Sequence, residues 1–173
     1  MSSSFITNKD KFLSDIINGI LPKTDAVDFL VGYFYYSGYV QLSENLKSKH
    51  IRILVGLDIE IQISKHVCEV ENFRQKLLSR GVLKEQYYSE FVKAFNDTDF
   101  LDTAEKIEQF KMFYAKILDG TLEIRKTLDP CHSKMYLFVY NESMNEGGEL
   151  PGVMITGSSN LSYQGMQGRL ELN

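Results

Sequence analysis

Two stretches rich in β-branched and aromatic residues, 26–36 (AVDFLVGYFYY) and 51–57 (IRILVGL), are separated by a segment long enough for a helix and too long for a hairpin. Ser37 and Gly38 end the first stretch, and residues 39–49 read as helix. Strand, helix, strand at this spacing is a βαβ unit, which fixes a parallel pair with a helix laid across the sheet. Gly32, inside the first strand, is a place where another part of the chain can approach closely.

Other segments extend this frame. Phe12, Ile16, Ile17 and Ile20 recur at helical spacing within residues 8–20, and Gly19 and Pro22 supply a stop. Residues 64–118 lack strand alternation and predict two or three helices, ending with Ile107, Phe110, Phe113, Tyr114 and Ile117. Further strands are expected at 122–127, 135–140, 153–156 and around Leu170. Residues 141–152 are polar and glycine-rich, as in a solvated loop. The expected fold is α/β, a mixed and largely parallel β-sheet with helices on both faces, built as one domain over residues 1–173 with a helical segment at about 64–118.

The strongest chemical signal is His132, Ser133 and Lys134 at the head of the run MYLFVY. On a strand, residues two apart share a face, so the imidazole and the ammonium would project together. Neutral imidazole is a nucleophile or proton carrier near neutral pH, and an ammonium is a compact charge for phosphoryl oxygens. Beyond this polar entrance Met135, Leu137 and Val139 lie on one face and Tyr136, Phe138 and Tyr140 on the other, predicting a strand buried on both sides. The strand at 153–156 runs into Gly157, Ser158, Ser159 and Asn160, residues suited to a tight turn opening a short helix, where backbone donors would favour an anion. Glu171, between Leu170 and Leu172, is the candidate carboxylate to accept the imidazole Nδ1 proton and leave Nε2 free to attack.

His-x-Lys, then Gly-Ser-x-Asn, then a trailing Glu resembles the motif of the phospholipase D superfamily. Within it, the wording around residues 122–138, 29–42, 51–58 and 157–173 is similar to the nuclease-like domain fused to bacterial superfamily II helicases. The resemblance implies a phospholipase D-like fold and a metal-independent double displacement, with His132 as nucleophile forming a phosphohistidine. It implies that Lys134, Ser158 and Asn160 bind the substrate phosphate, that Glu171 supports the histidine, and that no cofactor is needed. The superfamily pattern has an Asp five residues after the Lys, and Val139 stands there. A second histidine, from another copy of the motif, protonates the leaving group. One His-x-Lys is present, so the expectation is a homodimer with a composite active site acting on nucleic acid, DNA ahead of RNA, beside a helicase motor in the same polypeptide.

Composition narrows the alternatives. With 43% apolar and 24% charged residues, the chain has material for one ordinary core. Its apolar runs fall far short of the ~20 residues of a membrane span, and the first residues lack a signal-peptide pattern, so no membrane is expected and the cytoplasm is the expected compartment. Cys68 and Cys131 make no disulfide framework, and His50, His66 and His132 are too scattered for a zinc site. A net charge of −4 disfavours tight sequence-independent binding to nucleic acid unless Arg125, Lys126, Lys134 and Arg169 gather near the motif. No Walker A sequence is present. The end of the sequence within an alternating strand predicts an N-terminal fragment of a longer helicase-type protein. A catalytically silent nucleic-acid-docking or dimerisation module is the competing expectation. A phospholipid phosphodiesterase ranks behind both, since no apolar membrane-binding segment is present.

Overall fold

In the computed structural model of the chain, the structure describes residues 5–9, 11–59, 104–144, 151–168 and 172–173. Five strands form one sheet: β1 (Thr24–Phe34), β2 (His50–Ile59), β3 (Leu122–Lys126), β4 (Met135–Tyr140) and β5 (Gly152–Thr156), in the order β3-β2-β1-β4-β5. The β1–β2 and β2–β3 pairs are parallel, as the crossover spacing requires, with Val27 opposite Ile51 and Ile51 opposite Leu122. β4 runs antiparallel to β1, with Phe138 opposite Val27, and β5 antiparallel to β4. The sheet is therefore mixed in equal parts rather than largely parallel. A short segment without a covering crossover can only return antiparallel, and this is how β4 enters on the free side of β1.

Among the described residues four helices accompany the sheet: α1 (Leu13–Ile20), α2 (Tyr36–Val40), α3 (Ser43–Leu46) and α4 (Ala104–Asp119). The single helix expected over 39–49 is two short ones. Gly38 presses so closely on residues 161–162 that a Cβ there would lie 2.3 Å from Ser162 N, and the chain turns through Gln41 and Leu42 before α3. Tyr36, Tyr39, Leu42 and Leu46 stay buried despite the break, because their spacing of three and four residues keeps them on one side. α1 starts later than periodicity suggested. Asn8 accepts the Leu13 N–H through Oδ1 at 2.8 Å, and its Nδ2 donates to Gly165 O at 2.8 Å, tying the helix entrance to the far end of the chain.

One contiguous core joins Val27, Phe29 and Val31 of β1, Ile51, Ile53 and Val55 of β2, and Tyr136 and Phe138 of β4 to Leu13, Ile17 and the aromatics of α4. Phe113 stacks on Phe34 with centroids 6.3 Å apart and meets Tyr39 edge-on at 4.8 Å. Burying each such side chain contributes roughly 1.5–3 kcal/mol. All four described helices contribute to this one core.

The expectation of a motif strand buried on both sides is corrected; that of helices on both faces involves the segment at 64–103, which lies outside the described residues. Tyr136 and Phe138 are fully buried, but Val139 is 45% exposed, and an open hollow of 490 Å³ bordered by Leu30, Leu54, Met135 and Leu137 lies on the second face. Arg52 bridges to Asp28 there, and Arg125 to Glu123. The part of the predicted helical segment at 64–103, the tip of the loop at 145–150, and the strand expected at Leu170 lie outside the described residues. Among the described residues no helix is long and apolar enough to cross a membrane.

Candidate functional site

Topology brings the chemically interesting segments to one edge. β1, β2 and β3 are parallel and end there at Phe34, Ile59 and Lys126, β4 begins there, and β5 ends there at Thr156. The carboxyl edge of parallel strands is where α/β sheets commonly place ligands, because loops there can converge without breaking the ladder.

His132 and Lys134 lie in the irregular segment immediately before β4, not on the strand itself. The path of this segment depends on Gly56: Cys131 N–H donates to Gly56 O at 3.0 Å, and a Cβ on Gly56 would stand 1.8 Å from Cys131 O. No side chain fits. The pairing of β1 with β2 shifts register between Val31 and Tyr33 at the same level, which leaves Phe34 in the core and Tyr33 partly exposed. Tyr33 lies edge-on to the His132 ring, with centroids 6.4 Å apart at 81°.

Gly32 is the pivot of the site. A Cβ there would lie 3.2 Å from Asn160 Oδ1 and 3.3 Å from His132 Cδ2, so side chains of two distant sequence segments both pack against one glycine. This is the close approach anticipated at that position. Asn160 is fixed by accepting the Tyr33 N–H through Oδ1 at 2.9 Å.

Lys134 is 4% exposed, whereas His132 is exposed. Its Nζ donates to His132 O at 2.6 Å and stands 2.9 Å from Nδ1 and 3.1 Å from Nε2 of the same residue. A neutral imidazole carries one bare nitrogen, so the ammonium can donate to only one of the two at a time. The strand start is secured from β5: Thr156 Oγ1 donates to Lys134 O at 3.1 Å. The Cys131 thiol is held below its ordinary pKa, first by the backbone N–H and then by the hydroxyl of Ser133, with the Lys134 charge adding to them against desolvation.

Ser158 and Ser159 face another task. Ser158 N–H donates to Leu172 O at 3.0 Å, and Ser158 Oγ accepts the Leu172 N–H at 3.1 Å. Ser159 N–H donates to Asn173 Oδ1 at 3.2 Å, and Asn173 Nδ2 donates to Ser159 Oγ at 2.7 Å. Asn173 exchanges both backbone bonds with Ile6, each 3.0 Å. Two of the backbone donors expected to face an anion thus hold the end segment. The short helix expected after the turn is a single π-helical turn, Gln164–Gly168, braced by Gln167 Nε2 on Ser14 Oγ at 2.9 Å.

Of the sequence candidates, His132, Lys134 and Asn160 come together, Ser158 stands beside them but is bonded to Leu172, and Glu171 lies outside the described residues. Val139 is five residues from Lys134 at the other end of β4, on the order of 16 Å away, so a carboxylate there would not reach the imidazole. The basic residues do not all gather. Arg125 is paired with Glu123 on the open sheet face, Lys126 stands 3.8 Å from Asp58, and Arg169 is outside the described residues. Sequence reasoning missed Tyr33 and Gly56. Gly56 followed by a strand end was the available signal, and nothing local marked Tyr33. Among the described residues no three His, Cys, Asp or Glu side chains are grouped to hold a metal ion. No family model and no curated protein matches this chain.

Proposed function

We propose that this chain is a metal-independent phosphodiesterase acting on nucleic acid, with His132 as nucleophile and Lys134 and Asn160 as phosphate ligands. The supporting observation is that His132 and Asn160 both pack against Gly32, with the Lys134 ammonium against the imidazole. An imidazole nitrogen would attack phosphorus while the bond to the leaving oxygen breaks and that oxygen takes a proton from an acid. Water then attacks the phosphohistidine and releases the second product, the nitrogen keeping its electron pair. In this reading Lys134 turns from the His132 carbonyl to a phosphate oxygen. The phospholipase D-like fold belongs to the same proposal.

Among the described residues no second histidine stands near His132, so in this reading the acid comes from a second copy. His50 opens β2 at the opposite edge of the sheet, six residues before Gly56 and roughly 20 Å from the motif, and His66 lies outside the described residues. A twofold axis beside the motif would bring two His132 side chains to one phosphate. The test is hydrolysis of a generic phosphodiester in excess EDTA by wild type and by His132→Ala, with light scattering on the same samples. Chelator-resistant turnover that vanishes in the variant, acid-labile and base-stable phosphate on His132, and a dimer are expected. Turnover that survives His132→Ala, or that needs added magnesium, overturns the reading.

A second reading has its own support. The Ser158 N–H and Oγ are bonded to Leu172, as in a fold that has kept the turn for docking and not for catalysis. Absence of turnover in the EDTA assay with intact binding selects it.

A further inference from the structure

We propose that the groove between the end of β1 and residues 160–165, next to His132 through Tyr33, is a base-stacking channel for single-stranded nucleic acid, with Tyr35 and Tyr163 as its platforms. The inference rests on the phosphodiester reading for where the scissile phosphate lies, and it names the substrate class of that site. The groove has a volume of 380 Å³ and is bordered by Tyr33, Tyr35, Ser37, Asn160, Tyr163 and Gln164. It adjoins the site through two of its bordering residues: Tyr33 is edge-on to the imidazole, and Asn160 packs against Gly32 as His132 does.

The tyrosines of this region divide by role. Tyr36 and Tyr39 are each 2% exposed and belong to the core, whereas Tyr35 is 43% and Tyr163 47% exposed, at no evident benefit to packing. Their backbones are tied across the groove. Tyr35 N–H donates to Leu161 O at 2.9 Å, and Tyr163 N–H to Ser37 Oγ at 3.3 Å, so the backbones that carry the two rings are fixed on either side of the groove. Preorganised aromatic faces suit bases, each of which offers a π-face whatever its identity.

Charge points the same way. Among the described residues bordering the groove, none is ionisable other than tyrosine, in a chain of net charge −4, so a polyanion meets neither carboxylates nor a lysine rail from them. Affinity would come from stacking and hydrogen bonds to Ser37 and Gln164, and would fall with salt less steeply than phosphate-driven binding. A duplex keeps its bases stacked on one another and cannot offer them to the tyrosines. A lipid chain would meet hydroxyls and amides in place of aliphatic walls.

The experiment uses fluorescence anisotropy of a fluorescein-labelled oligothymidylate about twelve nucleotides long, within the site sizes of such grooves. It is run in EDTA on the full chain in the His132→Asn background, which keeps the strand intact. Tyr35→Ala and Tyr163→Ala should each weaken binding about tenfold, Tyr35→Phe and Tyr163→Phe should bind like the parent, and a duplex of equal length should bind at least about tenfold more weakly. Both tyrosines are exposed, so the alanine variants keep the core. Alanine variants within about twofold of the parent, or a duplex that binds as tightly as the strand, overturn the proposal. Hydrolysis of bis(p-nitrophenyl) phosphate by the His132 parent, with and without the tyrosine changes, separates the two ideas, since this substrate is too small to need the groove. Hydrolysis without tyrosine-dependent strand binding overturns the channel and leaves the phosphodiesterase reading standing. Tyrosine-dependent strand binding without hydrolysis supports the channel and sinks the enzyme.

Discussion

Lys116 and Lys134 are both nearly inaccessible, at 6% and 4% exposed, and both give their ammonium groups to backbone carbonyls. Lys116, on α4, donates to Lys47 O at 3.1 Å and Lys49 O at 2.7 Å, closing the turn between α3 and β2 against the helix. Lys134 donates to the carbonyl of a residue two positions away and lies against the same residue's imidazole. The first lysine joins segments 67 or more residues apart; the second organises its own loop. Burial of an ammonium is costly in either place and is offset by the carbonyls. What separates the two is what else they touch: Lys116 meets only structure, while Lys134 meets an exposed imidazole at a cleft.

The largest expected effect tests the functional half of this contrast. His132→Ala should lower phosphodiesterase activity by about three orders of magnitude or more, because the nucleophile is gone, while thermal unfolding stays close to wild type. Lys134→Ala should lower activity by roughly a hundredfold or more, with a smaller cost in stability for the lost contact to His132 O. If Lys134→Ala were fully active per folded molecule, the two lysines would be alike after all.

Lys116→Ala should do the reverse: about 2 kcal/mol less stable to urea, with unchanged activity per folded molecule, since two carbonyls lose their donor away from the site. The smallest effect is in alkali. Burial lowers the Lys116 pKa, with Asp119 opposing, so the folded chain releases this proton before the unfolded chain does, and stability contributed here rises with pH up to about 10.4. Tyr36 and Tyr39 act with opposite sign, since burial raises both above the ordinary value of about 10 and the folded chain keeps protons that the unfolded chain sheds. The stability contributed by these two tyrosines should therefore decline above pH 10. Urea titrations at alkaline pH should show a shallower decline in Tyr39→Phe and a steeper one in Lys116→Met.

Much of this arrangement was legible in local pattern. The βαβ unit follows from two apolar stretches and the length between them, and the convergence of His132 with Asn160 follows from one motif preceding a strand and the other following one. Gly32 was readable as a close approach because a glycine inside a buried strand has few other reasons to be there. What could not be read depends on partners distant in sequence. The place of β4 between β1 and β5 is a pairing choice, and the open second face is set by what packs elsewhere. Consecutive tyrosines at 35 and 36 look alike in sequence; only the turn into α2 sends one to the groove and the other to the core. The bonds of Ser158 to Leu172 could not be read either, since they join the turn to a segment fourteen residues further on.

The mutual hydrogen bonds of Ile6 and Asn173, continued through Asn173 and Leu172 onto Ser159 and Ser158, give the molecule a mechanical property. Both ends of the described chain are clamped to the turn that carries Asn160. A pull on either end is therefore loaded directly onto that turn, in shear along a few hydrogen bonds, before it reaches the rest of the sheet.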